Sequence, residues 1–221
     1  MKRFLVLSVL LVAVLAITAS AADSGKKMPM SAGFKAGISL ANATGSDATI
    51  PGGDKKMKMG LAGGAFIGFG IAPQFVLQPE LLYVQKGVKY EEKGGPGKLT
   101  EKLDYLQVPV LFKFVPNTAG KIQPTIFAGP YLGFLMSAKA KFEGDPDPAN
   151  NGEEDIKDAL KSTDFGISFG AGVGAKMTKG ELFLDVRYDL GLSKIEKSDG
   201  GETANVKNSS ILALVGYKFD I

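Results

Sequence analysis

With 221 residues, 45% of them hydrophobic and 22% charged, the chain has the size of one domain with a substantial core and is too polar for a bundle of membrane helices. It contains no cysteine and no histidine, which excludes a disulfide framework, an acylated lipobox cysteine, a Cys/His zinc site and histidine-dependent hydrolases. The formal charge of +3 includes Lys2 and Arg3; without them 24 basic residues face 23 acidic ones, a balance that with no basic stripe excludes nucleic acid as a partner.

Lys2 and Arg3 precede the apolar run Phe4 to Ile17, interrupted only by Ser8, and Ala19-Ser20-Ala21 fits a small-x-small cleavage site. Residues 1–21 are therefore expected to be a secretory signal and 22–32 an N-terminal periplasmic segment, with a barrel over 33–221. A spanning helix needs about 20 apolar residues, and this run is shorter. The other long apolar stretch, Ile122 to Ala138, is broken by Gln123, Pro124 and Pro130.

From residue 33 onward the sequence divides into segments with a period of two, at 33–41, 58–71, 75–91, 103–115, 122–142, 163–177, 181–195 and 209–221. Their connections alternate between long and short. Polar loops at 42–57, around Gly94–Gly97, at 143–162 and at 196–207 alternate with tight links at 72–74, 116–121 and 178–180. That rhythm predicts an all-β, eight-stranded antiparallel up-and-down transmembrane barrel with short periplasmic turns and long extracellular loops.

The two faces of each segment differ in kind. In 163–177 one face reads Phe165, Ile167, Phe169, Ala171, Val173, Ala175, Met177, and the other Asp164, Gly166, Ser168, Gly170, Gly172, Gly174, Lys176. In 181–192 the apolar face Leu182, Leu184, Val186, Tyr188, Leu190, Leu192 opposes Glu181, Phe183, Asp185, Arg187, Asp189, Gly191. In 122–142 Ser137 and Lys139 fall on the polar face with Gln123 and Tyr131. A soluble, lipocalin-like carrier would turn the apolar face inward around a ligand and need a solvated outer face. Here the second face is small residues and a few ions, which suits a narrow interior. The 29 glycines, far above the usual share of about 7%, are expected to make room there. Pro79, Pro109 and Pro130 fall inside predicted strands, where bulges would absorb their missing N–H groups.

The inward charges Glu80, Asp185, Arg187, Asp189 and Lys139 form the candidate constellation. Because isolated charges in a narrow lumen are costly, an ion-pair network filling the barrel is expected, with Arg187 reaching Glu80 across it. No catalytic residue, metal site or cofactor is implied. Outward aromatics near strand ends, Phe69, Phe75, Phe112, Phe114, Tyr188, Tyr217 and Phe219, suit interfacial girdles. The acidic stretch Asp145 to Asp155 lacks EF-hand spacing, and 156–161 suggests a short helix.

Four motifs carry a resemblance. Gln78-Pro79-Glu80-Leu81-Leu82-Tyr83 with Gln85-Lys86-Gly87, then Leu103 to Pro109, then Ala128-Gly129-Pro130-Tyr131-Leu132-Gly133, then Arg187-Tyr188-Asp189-Leu190-Gly191-Leu192 resemble, in order and spacing, the strands of the PorT-like outer-membrane β-barrel domain family. The resemblance implies an eight-stranded outer-membrane barrel in which strand prolines are a family habit. The terminal Gly216 to Ile221 is similar to the C-terminal signal read by the barrel-assembly machinery, departing from it in its final isoleucine. The function expected is a plugged barrel with a structural or interaction role in contact with outer-membrane lipid, any extracellular ligand meeting loops 42–57, 143–162 and 196–207. The alternatives are a narrow pore or a transport- or secretion-associated barrel, and the soluble carrier.

Overall fold

The structure is a computed structural model that describes residues 29–49, 52–197 and 204–221; the expected signal segment 1–21 and the start of the 22–32 segment lie outside them. Eight long strands form a closed antiparallel ring: β1 (Met30–Thr44), β2 (Gly53–Ala72), β3 (Phe75–Glu92), β4 (Lys98–Phe114), β5 (Ile122–Glu143), β7 (Thr163–Met177), β8 (Gly180–Gly191) and β9 (Lys207–Asp220). Each pairs with the next along the chain, and β1 pairs with β9 from Ser31↔Asp220 to Thr44↔Lys207 to close the ring. Closure leaves no ladder edge at that level and fixes the side-chain phase of every strand.

That phase points the apolar faces outward. Phe165, Phe169, Leu184 and Val186 are 47%, 47%, 46% and 48% exposed, whereas Asp164, Asp185, Arg187 and Asp189 on the alternate positions are at most 2% exposed. A ligand-carrying calyx, which requires the reverse, is excluded. The outward apolar belt gives way to polar side chains where Asn42 pairs with Ser209, Gln85 with Asp104, and Asp104 with Ser137.

The barrel begins earlier than its sequence pattern suggests. Met30, Ser31 and Ala32 already pair with Phe69, Gly68 and Ile67, so three residues expected in the periplasmic segment belong to β1. Strands also consume much of the expected first loop, leaving 45–52 between β1 and β2. Beyond the belt, β3, β4 and β5 stay paired up to Glu91↔Lys98↔Glu143, while β5 leaves β7 at Phe134↔Thr163. The overhanging edge of β5 is covered by a short strand, β6 (Gly152–Asp155), and 157–159 forms one 3-10 turn. One side of the barrel thus rises as a tall wall.

The prolines are not absorbed by bulges. Pro79 lies opposite Val110, Pro109 opposite Tyr131 and Pro130 opposite Ile167, with register unchanged on either side. Register shifts occur instead at Met57/Ala62, Gly70/Ala72 and beside Asp104/Tyr105. At the last of these, Asp104 pairs with Ser137 but Tyr105 with Leu135, so Met136 is the extra residue of a bulge.

Candidate functional site: the barrel interior

Two layers of ions and one apolar layer fill the interior. In the lower ion layer, nearer the short turns, Lys35 Nζ lies 2.7 Å from Glu80 Oε1 and 3.2 Å from Asp185 Oδ2. Arg187 Nη1 donates to Glu80 Oε2 at 2.8 Å, and its Nε sits 3.5 Å from Asp189 Oδ1. Lys113 is 3.7 Å from Asp185, and Gln78 Nε2 donates to Glu80 Oε1 at 2.7 Å. The layer therefore ties β1, β3, β4 and β8 together across the lumen, and the Phe66 and Phe183 rings flank the Lys35 ammonium at 5.3 and 5.7 Å. Asp189 continues it upward by accepting from Gln107 at 2.7 Å and from Ser168 at 2.6 Å.

The upper layer centres on Asp164, which accepts from Lys86 at 3.1 Å, Asn208 at 3.0 Å, Ser193 at 3.1 Å and, at 3.4 Å, Tyr131. The Tyr131 ring lies beneath the Lys86 ammonium at 4.3 Å. Gly166 makes that ring fit, because a Cβ there would collide with it, and Gly216 makes the same room for Phe183. Four buried cations, Lys35, Lys86, Lys113 and Arg187, thus meet Glu80, Asp164, Asp185 and Asp189, and the fifth buried carboxylate, Glu181, is met at 2.8 Å by half-buried Lys218. Such a set is tolerable at low dielectric only because each charge has a partner.

Above the ions the long connections turn inward. Ala48 from 45–52, Leu160 from 144–162, and Ile195 and Val206 from 192–206 pack with Val88, Tyr90, Leu103, Tyr105, Leu135 and Ala138 into one apolar cluster. Lys161 N donates to Ile195 O at 2.7 Å, Lys197 N to Ala159 O at 3.0 Å and Ile195 N to Val206 O at 2.9 Å, stitching the connections over the mouth.

Of the five charges expected inside, the structure brings together Glu80, Asp185, Arg187 and Asp189 and leaves out Lys139. The bulge at Met136 reverses the phase of β5, so Ala138 and Ala140 turn inward and Lys139 outward, where it meets Glu153 at 2.7 Å. Sequence reasoning missed Lys35, Lys113 and Lys86, each of which stands on an inward position of its strand. It also missed the role of Asp164, although that residue reads on the glycine face of β7.

The expected girdle aromatics fall into two sets. Phe69, Phe75, Phe112, Phe114, Tyr217 and Phe219 gather near the short-turn end, with ring centroids 5.3 Å apart for Phe75–Phe112 and for Phe75–Phe114, and 4.8 Å for Tyr217–Phe219. Tyr188 sits eight residues up β8, 5.6 Å from Phe169. No residue group among the described residues has metal-site composition.

On the tall wall, Glu153 of β6 accepts from Lys102 at 2.6 Å and from Lys139 at 2.7 Å. These two hydrogen bonds, the Lys102 one first, pull its carboxyl down to about 2.

The family profile described as outer membrane protein beta-barrel domain matches residues 18–197. Among solved structures, the chain is similar to Neisserial surface protein A at 16% identity and a TM-score of 0.48, covering 85% of this chain and 97% of that one. It is similar to the attachment invasion locus protein Ail of Yersinia pestis at 14% identity and a TM-score of 0.44, covering 87% and 100%. It is also similar to the outer membrane protein OprG of Pseudomonas aeruginosa at 12% identity and a TM-score of 0.42, covering 87% and 97%. No curated protein matches the chain.

Proposed function

Because the chain belongs to the outer membrane protein beta-barrel domain family, we propose that it is a plugged outer-membrane barrel with a structural or interaction role, presenting its long-loop surface outside the cell. The observation that carries this reading is the pairing of charge in the interior: each of the five buried carboxylates lies beside a cation, beneath an apolar cap. A conducting path needs water or unpaired charge along its length, and here each ion spends its interaction on a neighbour. The same pairing and the absence of histidine support a role without catalysis, since every buried carboxylate is engaged by a cation. The four strand motifs similar to PorT-like barrels support placement in that branch, with no secretion role attached to it.

The experiment is single-channel recording of the refolded chain in planar bilayers. A plugged barrel gives no stepwise current at moderate voltage. Regular, voltage-independent steps would replace this reading with that of a narrow pore.

A further inference from the structure

The outer surface of the tall wall is graded by height. Just above the apolar belt, the outward positions of β3 to β5 run in register through three tiers: Gln85, Asp104 and Ser137; then Gly87, Lys102 and Lys139, with Lys58 of β2 against Gly87; then Lys89, Thr100 and Lys141, with Lys56 of β2 paired to Lys89. These tiers carry six lysines, accompanied by Asp104 and, from β6, Glu153 and Asp155. In the next tier, Asp54, Glu91 and Glu143 outnumber Lys98. Positive charge is therefore concentrated in the band nearest the belt, within about 15 Å along the strands at about 3.3 Å per residue.

That band also contains a depression. Gly87, in the left-handed region at φ 122°, leaves the wall without a side chain between Lys58 and Lys102. A surface cavity of about 480 Å³ opens there, where Lys58, Lys102 and Lys139 outnumber the carboxylates Asp104 and Glu153, with Met59, Gln85 and Ser137 completing the lining. Two residues below it on the same face stand Tyr83, Leu106 and Phe134, within the apolar belt. The site therefore presents ammonium groups at headgroup height directly over a surface suited to acyl chains. An ion from bulk water would gain nothing from the apolar part.

We propose that this depression holds the phosphate of an anionic lipid of the outer leaflet, with Lys58, Lys102 and Lys139 around the headgroup and the acyl chains against Tyr83, Leu106 and Phe134. Glu153 holds Lys102 and Lys139 side by side along the cavity they line, and each ammonium has further N–H donors beyond the one it gives Glu153.

The test uses the full chain in phosphatidylcholine bilayers and reads, by electron paramagnetic resonance, the motionally restricted fraction of spin-labelled phosphatidic acid against spin-labelled phosphatidylcholine. The protein is expected to favour phosphatidic acid at least about fivefold, the scale of one lysine near a charged surface. K58Q/K102Q/K139Q should bring the ratio to near one, while K58R/K102R/K139R and K98Q, in the upper tier, should keep it. Heat-modifiable migration on a gel checks that each variant is folded. Equal retention of the two lipids by the unsubstituted protein would overturn the proposal, as would equal loss in K98Q. So would loss of selectivity in millimolar inorganic phosphate but not in chloride of equal ionic strength, which would make this a site for free anions.

Discussion

The two materials that fill the interior are held by different physics. The ion layers are carried by strands, so every charged group is fixed by a closed ladder and reaches its partner across the lumen. The apolar cap is carried by connections, and its Leu160, Ile195 and Val206 are held by a few backbone hydrogen bonds and by burial. Removing one partner of a buried ion pair leaves an uncompensated charge. Removing a cap side chain leaves only a cavity at the rim. The interior should therefore be stiff below and openable above.

The largest effect is expected from Arg187→Met. It strands Glu80 beside Lys35 alone and should cost about 3–5 kcal/mol in denaturant unfolding from lipid vesicles. A loss below about 1 kcal/mol would mean that the lower layer is hydrated. Leu184→Arg, on the outward face of the same strand, should cost about 2–4 kcal/mol in bilayers. The same change should cost little in detergent lacking a fixed hydrocarbon slab, a contrast the interior variant should not show. Leu160→Ala should loosen the cap by about 2 kcal/mol and raise amide exchange over 144–162 and 192–206 with the midpoint of global unfolding nearly unchanged. A matching drop in global stability would show cap and ion layers to be one cooperative unit.

The smallest effect belongs to the wall. Since the Glu153 carboxyl is pulled down to about 2 from an ordinary 4.5, its support for β6 is fully present above the ordinary value and is lost as pH falls through about 2. The Glu153 carboxyl carbon should titrate with that low midpoint. Glu153→Gln should release β6 from Lys102 and Lys139 at neutral pH without moving the barrel's unfolding transition.

The same contrast explains what could be read from the sequence. Strand residues announce themselves by period two, so the barrel, its outward faces and the meeting of Glu80, Asp185, Arg187 and Asp189 followed from alternation alone. Lys139 did not, because one extra residue at Met136 reverses the phase and no local motif marks the bulge. The cap was illegible for another reason. Ile156, Leu160, Ile195 and Val206 are single apolar residues in polar connections, and only the closed ring reveals that they share one mouth. Lys35, Lys86 and Lys113 were available as cations on strands, a signal that becomes specific only once the partners across the lumen are known.

On the proposed reading, Arg187 and Glu80 meet in an interior closed to water. Solid-state NMR of the protein in bilayers, with labelled arginine and glutamate, measures both parts at once. A contact-range dipolar coupling between the Arg187 guanidinium and the Glu80 carboxylate is expected, together with slow polarisation transfer from water to either group. Rapid transfer from water with no such coupling would contradict it.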